Sequence, residues 1–227
     1  MEIIEAIRAR KSIRDFKPDT VSKDVLREIL DVATKAPSAM NTQPWEFAVI
    51  AGDALKKIKE DNIANLRSGA PAKVDHVVVG WPPDSVYRTR QVDLAKQIFA
   101  LMDIPREDKE KRALWLERGF RFFDAPAAII ILTDKILPES APAVDIGAAM
   151  QTICLAALAH GLGTCIEDQG ILFSDVVRKY TGIPESKRIM IAIAIGYPNG
   201  DFPANRLEST RESIDKITTW HGFESWV

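Results

Sequence analysis

Apolar side chains fall at helical spacing from the start of the chain. Over 2–10, Ile3, Ile4, Ala6 and Ile7 share one face, with Glu2, Glu5 and Arg8 elsewhere, as in an amphipathic helix. The polar stretch from Arg10 to Pro18 breaks that period. Ser22 then stands where an N-cap belongs, ahead of Val25, Leu26, Ile29, Leu30 and Ala33; its hydroxyl can accept an orphan backbone N–H. Pro37 disfavours helical geometry at Ala36, so this second helix is expected to stop there. The loop PSAMNTQPW (37–45) follows. Phe47–Ile50 reads as a short buried strand, and AGDALKKI opens another amphipathic helix.

From about 60 to 124 the pattern loosens: prolines at 71, 82, 83 and 105, scattered aromatics, and dense charge from Arg106 to Arg121. This stretch is expected to be an insertion of loops and helices lying as a lid over one side of a single domain that spans 1–227. Ala127–Leu132 is β-branched-rich and short, as a central strand should be. Residues 145–160 predict a helix that Asp145 can cap; Ile146, Ala149, Met150, Ile153, Cys154, Ala157 and Leu158 leave it little polar face. A helix apolar nearly all round is buried, often between subunits. Gly161 ends it, Asp175–Tyr180 predicts a shorter helix, Arg188–Ile195 a buried strand, and GYPNGD a turn. Helices interspersed with a few buried strands indicate an α/β or α+β sandwich.

A chain of 227 residues is long enough to need no metal or disulfide staple. Its 46% apolar and 27% charged residues are those of an ordinary globular protein. A formal net charge of −2 argues against a general nucleic-acid binder. The cysteines, Cys154 and Cys165, form no CxxC pair, so neither a disulfide framework nor a zinc ribbon is supported. The charged start is no secretory signal, and AAIII and IMIAIAI fall far short of the ~20 residues of a membrane span. A reducing, cytoplasmic setting is the expectation, with no membrane or nucleic-acid partner.

The usual catalytic templates are absent: no GxSxG elbow, no HExxH, no Walker loop. His76, His160 and His221 lack ligand spacing, so no metal is expected. GLGTCI (161–166) lacks the third glycine of a dinucleotide fingerprint and follows a helix, so it reads as a C-cap and tight bend. Other segments are richer. In an extended RKSIR (10–14), Arg10, Ser12 and Arg14 would point the same way, and guanidinium forks beside a hydroxyl suit a phosphate; a solvated stretch balancing Glu2 and Glu5 is the plain alternative. The loop 37–45 offers Ser38, Asn41, Thr42 and Gln43 between stiffening prolines. Its amides could read the mixed edge of a heterocycle or simply satisfy their own backbone. Asn205, Arg206 and Arg211 add a late cationic group that can meet the first only if the fold joins the two ends.

Together, RARKSIRDF (8–16), APSAMNTQPWEF (36–47), FFDAPAAIIIL (122–132), DIGAAMQTICLAALAHGLGTC (145–165) and IAIGYP (193–198) with Arg211 resemble the nitroreductase family of FMN-dependent oxidoreductases. The resemblance implies an α+β, three-layer sandwich with a mainly antiparallel central sheet, forming an intertwined homodimer with FMN at the interface. It implies that Arg10 and Ser12 hold the FMN phosphate and ribityl chain, and that Lys11 contributes through its backbone. Arg14 would lie near the N1–O2 edge. Pro37, Ser38, Ala39 and Asn41 would contact the ring from the partner subunit, Ile166, Glu167 and Asp168 would offer backbone near N5, and Arg211 would bind phosphate. Ser209 stands where relatives often carry another basic residue, with Arg206 as a candidate substitute; the turn at Glu167-Asp168-Gln169 is acidic for a flavin that gains negative charge.

On that resemblance, NADH or NADPH reduces the flavin and a nitroaromatic or quinone-like substrate reoxidises it in a ping-pong cycle. No catalytic side chain is required, because the cofactor carries the chemistry. Tyr87, Arg88, Phe122 and Phe123 in the insertion are candidate substrate contacts, mixing aromatic faces with a cation suited to a small aromatic molecule. Cys165 could play a redox part or fill space. A reductive dehalogenase or dehydrogenase on the same fold, and a non-catalytic flavin-binding protein, are the alternatives.

Overall fold

The computed structural model describes residues 2–78 and 80–223. Helix α1 (Ile3–Ala9) and α2 (Lys23–Ala33) precede strand β1 (Glu46–Ala51) and the long α3 (Gly52–Ser68). Helices α4 (Val86–Leu101) and α5 (Lys109–Phe120) lead to β2 (Ala127–Asp134), α6 (Ala143–Ala159) and β3 (Gly163–Glu167). The chain ends with α7 (Ser174–Thr181), β4 (Lys187–Gly196) and the short α8 (Ile214–Ile217). Each strand is antiparallel to its neighbour in the order β1-β2-β4-β3.

Strand β2 explains its own sequence. Side chains alternate across a sheet, so Ala128, Ile130 and Leu132 enter one core with Leu55 and Ile58 of α3 and Val176 and Val177 of α7. Ala127, Ile129 and Ile131 enter the other, with Leu26 and Ile29 of α2 and Ile146, Ala149 and Ile153 of α6. Both faces are covered, which is why the strand reads as an unbroken apolar run. A register shift opposite Ile131 and Leu132 leaves Met190 and Ile191 on the same side of β4, the signature of a bulge. The result is the helix–sheet–helix α+β sandwich expected from the sequence.

The expected N-cap is present: Ser22 Oγ accepts the N–H of Val25 at 3.3 Å. Two local expectations change. Pro142, not Asp145, occupies the cap of α6; Asp145 sits in its first turn and accepts the N–H of Ala39 at 3.2 Å. The stretch 60–124 does not leave the core at 60. Residues 60–68 complete α3, whose Asn62 is fully buried and donates to the carbonyls of Phe120 and Gly170, and α5 delivers Phe120 into the same core. Between them, α4 turns Leu94, Ile98 and Met102 onto Phe202, Ala204 and Leu207.

Candidate active site

The segment after α1 is held against strand β3. Ile13 is buried, its N–H reaches Thr164 O at 2.9 Å, and Ser12 bridges to Thr164 in parallel. A Cβ at Gly163 would meet Ile13 Cγ1 at 2.5 Å, so glycine permits this close approach. Asn205, itself buried, binds the other end of the segment. Its Oδ1 accepts the N–H of Arg14 at 2.6 Å, and its Nδ2 donates to Asp15 O at 2.8 Å and Asn199 O at 2.9 Å. The fold thereby joins the early basic segment to the late one, which spacing alone could not establish.

A cleft of about 1030 Å³ opens where they meet. Arg10, Lys11 and Ser12 form one wall, Glu208, Ser209 and Arg211 another, with Gln151 of α6 and Ile166 of β3 between. Ser209 stands where relatives often carry a second basic residue; its Oγ accepts from Arg211 Nη1 at 2.8 Å and helps fix that guanidinium. Arg206 is exposed and outside the lining. The lining's three guanidiniums (Arg8, Arg10, Arg211), one ammonium and two serine hydroxyls outnumber its carboxylate, Glu208, and beside an apolar strand surface they fit a phosphate joined to a planar ring.

The acidic turn beyond β3 does not present bare charge to this cleft. Ile166 lines it, while Glu167 points to the opposite face and accepts the N–H of Gly170 at 2.7 Å. Burial, reinforced by Asp168, pushes the Glu167 carboxyl up to about 8, so it is mostly protonated at neutral pH. Asp168 faces the ring of His76, with Nε2 3.4 Å from Oδ1. His76 Nδ1 lies 3.1 Å from Ile189 O. The Asp168 hydrogen bond is the main cause raising the His76 pKa above its usual value.

The sequence model of the Nitroreductase family matches residues 7–197. The chain belongs to the nitroreductase family. It is 31% identical over 221 residues to a nitrobenzene nitroreductase of Ectopseudomonas oleovorans, covering 96% of each chain. Its fold is similar to that of the FMN-dependent nitroreductase NfnB from Mycobacterium smegmatis in complex with NADPH, at TM-score 0.89, 26% identity and coverage of 96% and 98%. It is also similar to an FMN- and NADPH-dependent nitroreductase NfnB from a Sphigopyxis strain, at TM-score 0.92, 24% identity and coverage of 98% and 100%.

Against the family pattern, this chain gathers Arg10, Lys11, Ser12, Ile166 and Arg211 in one cleft. Arg14 is half-buried just beyond it, its Nη1 3.4 Å from Ser12 O. Pro37, Ser38, Ala39 and Asn41 lie outside the lining, in a loop set at the start of α6 by Asp145. There Ser38 Oγ accepts from the Gln43 N–H at 3.0 Å, and Met40, Asn41 and Gln43 adopt left-handed φ of 50°, 57° and 47°, a costly conformation for side-chain-bearing residues. Phe122 and Phe123 are corrected from substrate wall to core: they are 0% and 7% exposed and pack under the sheet. Tyr87 and Arg88 are exposed on α4, outside the cleft, with Tyr87 5.3 Å from the Trp81 ring. Sequence reasoning missed Gln151, although an amide in the nearly all-apolar α6 was a usable signal. The His76–Asp168 pair had none, since it depends on a loop crossing to β4.

Proposed function

We propose that this chain is an FMN-dependent oxidoreductase that takes electrons from NADH or NADPH and passes them to nitroaromatic or quinone-like molecules. The convergence of Arg10, Ser12 and Arg211 on one cleft beside β3 carries this reading. When bound, FMN supplies the two-electron chemistry. Arg10, Lys11 and Arg211 neutralise its phosphate, Ser12 adds a hydroxyl donor, and Ile166 offers an apolar surface to the ring. Arg14, whose backbone N–H is held by Asn205, would supply the positive charge that favours added electron density on the bound ring. Glu167 helps by staying neutral, and Asp168 by pairing with His76. Donor and acceptor use the same space in turn, a ping-pong cycle that needs no side-chain nucleophile.

The active unit in this reading is a homodimer. Ile3, Ile4 and Ile7 are 69%, 55% and 48% exposed along one face of α1, a contiguous apolar surface of the kind partners cover. The loop 37–45 would then reach the ring held by the second copy. Within 60–124, α4 is the lid: Arg90 pairs with Glu212 at 3.0 Å, next to Arg211. Flavin affinity tests the reading. Arg10→Ala and Arg211→Ala should each weaken FMN binding about tenfold or more, as expected for a lost charge-assisted contact. Unchanged affinity in both variants would overturn the assignment of the cleft.

A further inference from the structure

A second groove, sharing no lining residue with the flavin cleft, runs between α4 and α5. Its volume is about 670 Å³, within the range of small-molecule sites. Val92, Ala95 and Phe99 of α4 and Ile104 supply its apolar lining, Phe99 also packing against the Ile98–Ala204–Leu207 cluster. Arg88, Lys96, Arg106 and Arg112 rim it, and among the described residues no Asp or Glu lines it.

These cations differ from the arginines that the fold ties to carboxylates. Arg67, Arg90, Arg118, Arg121 and Arg178 each pair with a carboxylate. Among the described residues, no carboxylate lies within ion-pair distance of Arg88, Arg106 or Arg112, and only Lys96 has an acidic neighbour, Asp93 at 3.2 Å. Neutral contacts steady two of these arginines: Arg88 Nη1 donates to Gln91 Oε1 at 2.7 Å, and Arg112 Nη1 to Arg106 O at 3.0 Å. The Arg112 guanidinium lies 5.2 Å from the centroid of the Phe99 ring, a stacking geometry that a second planar group can extend. In a chain whose net charge is −2, an apolar floor under uncompensated, oriented cations is complementary to an amphiphilic anion.

We infer that the α4–α5 groove binds a planar aromatic group carrying an anionic substituent, either an aromatic carboxylate or a nucleoside phosphate. The ring lies on the apolar floor, and the anion meets the guanidinium rim.

Titration calorimetry on the FMN-saturated protein tests this with naphthoate, adenosine monophosphate and the uncharged naphthalenemethanol. Naphthoate or the nucleotide should bind in preference to the alcohol, and the tighter of the two identifies the source of the anion. Arg106→Glu with Arg112→Glu should weaken that binding about tenfold or more, the scale of lost charge-assisted contacts. The flavin spectrum and FMN affinity should not change. Lys96→Glu, on another turn of the rim, checks the effect independently of Arg112 packing. Equal affinity for the neutral analogue, or full affinity in the charge-reversed variants, would overturn the proposal. Because the readout is heat of binding, failure here is distinguishable from failure to bind flavin.

Discussion

Glu167 ends β3 with its carboxyl turned away from the cleft, raised by burial from 4.5 to about 8. A carboxyl that holds its proton more tightly folded than unfolded contributes stability that is complete below about 4.5 and is lost as pH rises through about 8. Glu167→Gln keeps an acceptor for the Gly170 N–H and removes the titration. Chemical denaturation across that window should therefore give a flatter stability profile for the variant, with its advantage growing at alkaline pH; parallel profiles would contradict a buried neutral Glu167. Cys165 is treated similarly. It is 3% exposed, and burial pushes its thiol up to about 12, so a thiolate is scarce at neutral pH. Iodoacetamide should leave it unmodified until the protein is unfolded, which assigns it to packing and not to redox chemistry. From the sequence these residues gave types and neighbours only. Whether Glu167 was charged, or Phe122 and Phe123 faced a pocket, depended on burial created by α3 and α5 packing from elsewhere in the chain.

Local signals located most elements because their causes were local. Ser22 capped α2 as its position required, and Ser22→Ala should cost about 1 kcal/mol of stability by thermal or chemical denaturation. The apolar runs of β2 and β4 and the long apolar α6 were legible for the same reason: each is buried on more than one side, and composition records that. Strand β3 was not, because GTCIE is short and owes its extended form to pairing with β4 and to the docked 12–16 segment. The start of the insertion differs because α3 continues to Ser68, with Ile63 and Leu66 on the same core as Leu55 and Ile58 and the buried Asn62 tying it to Phe120 and Gly170. Asn205 joins the two halves of the site. Asn205→Ala removes its contacts with the Arg14 N–H and the Asp15 and Asn199 carbonyls. It should cost on the order of 3 kcal/mol and weaken FMN binding without touching the flavin. A stable variant with full flavin affinity would show that the staple is dispensable.

At the scale of the whole molecule, the chain provides a double-sided sheet core, a cationic cleft along one sheet edge and an apolar α1 face left exposed among the described residues. The first was legible as alternation along β2. The second was legible as candidate residues in separate segments, but their convergence required the Asn205 connection. The homodimer is what the resemblance to nitroreductases implies, and the proposed function places its contact on the exposed α1 face. The central claim is that this assembly takes electrons from a nicotinamide and hands them to a nitro compound through FMN. Its most direct test is the visible spectrum of the FMN-loaded protein under anaerobic conditions. Adding NADH or NADPH should bleach the flavin bands, and nitrobenzene should restore them. A protein that does not take up FMN, or whose bound flavin is bleached by neither nicotinamide, would contradict the account.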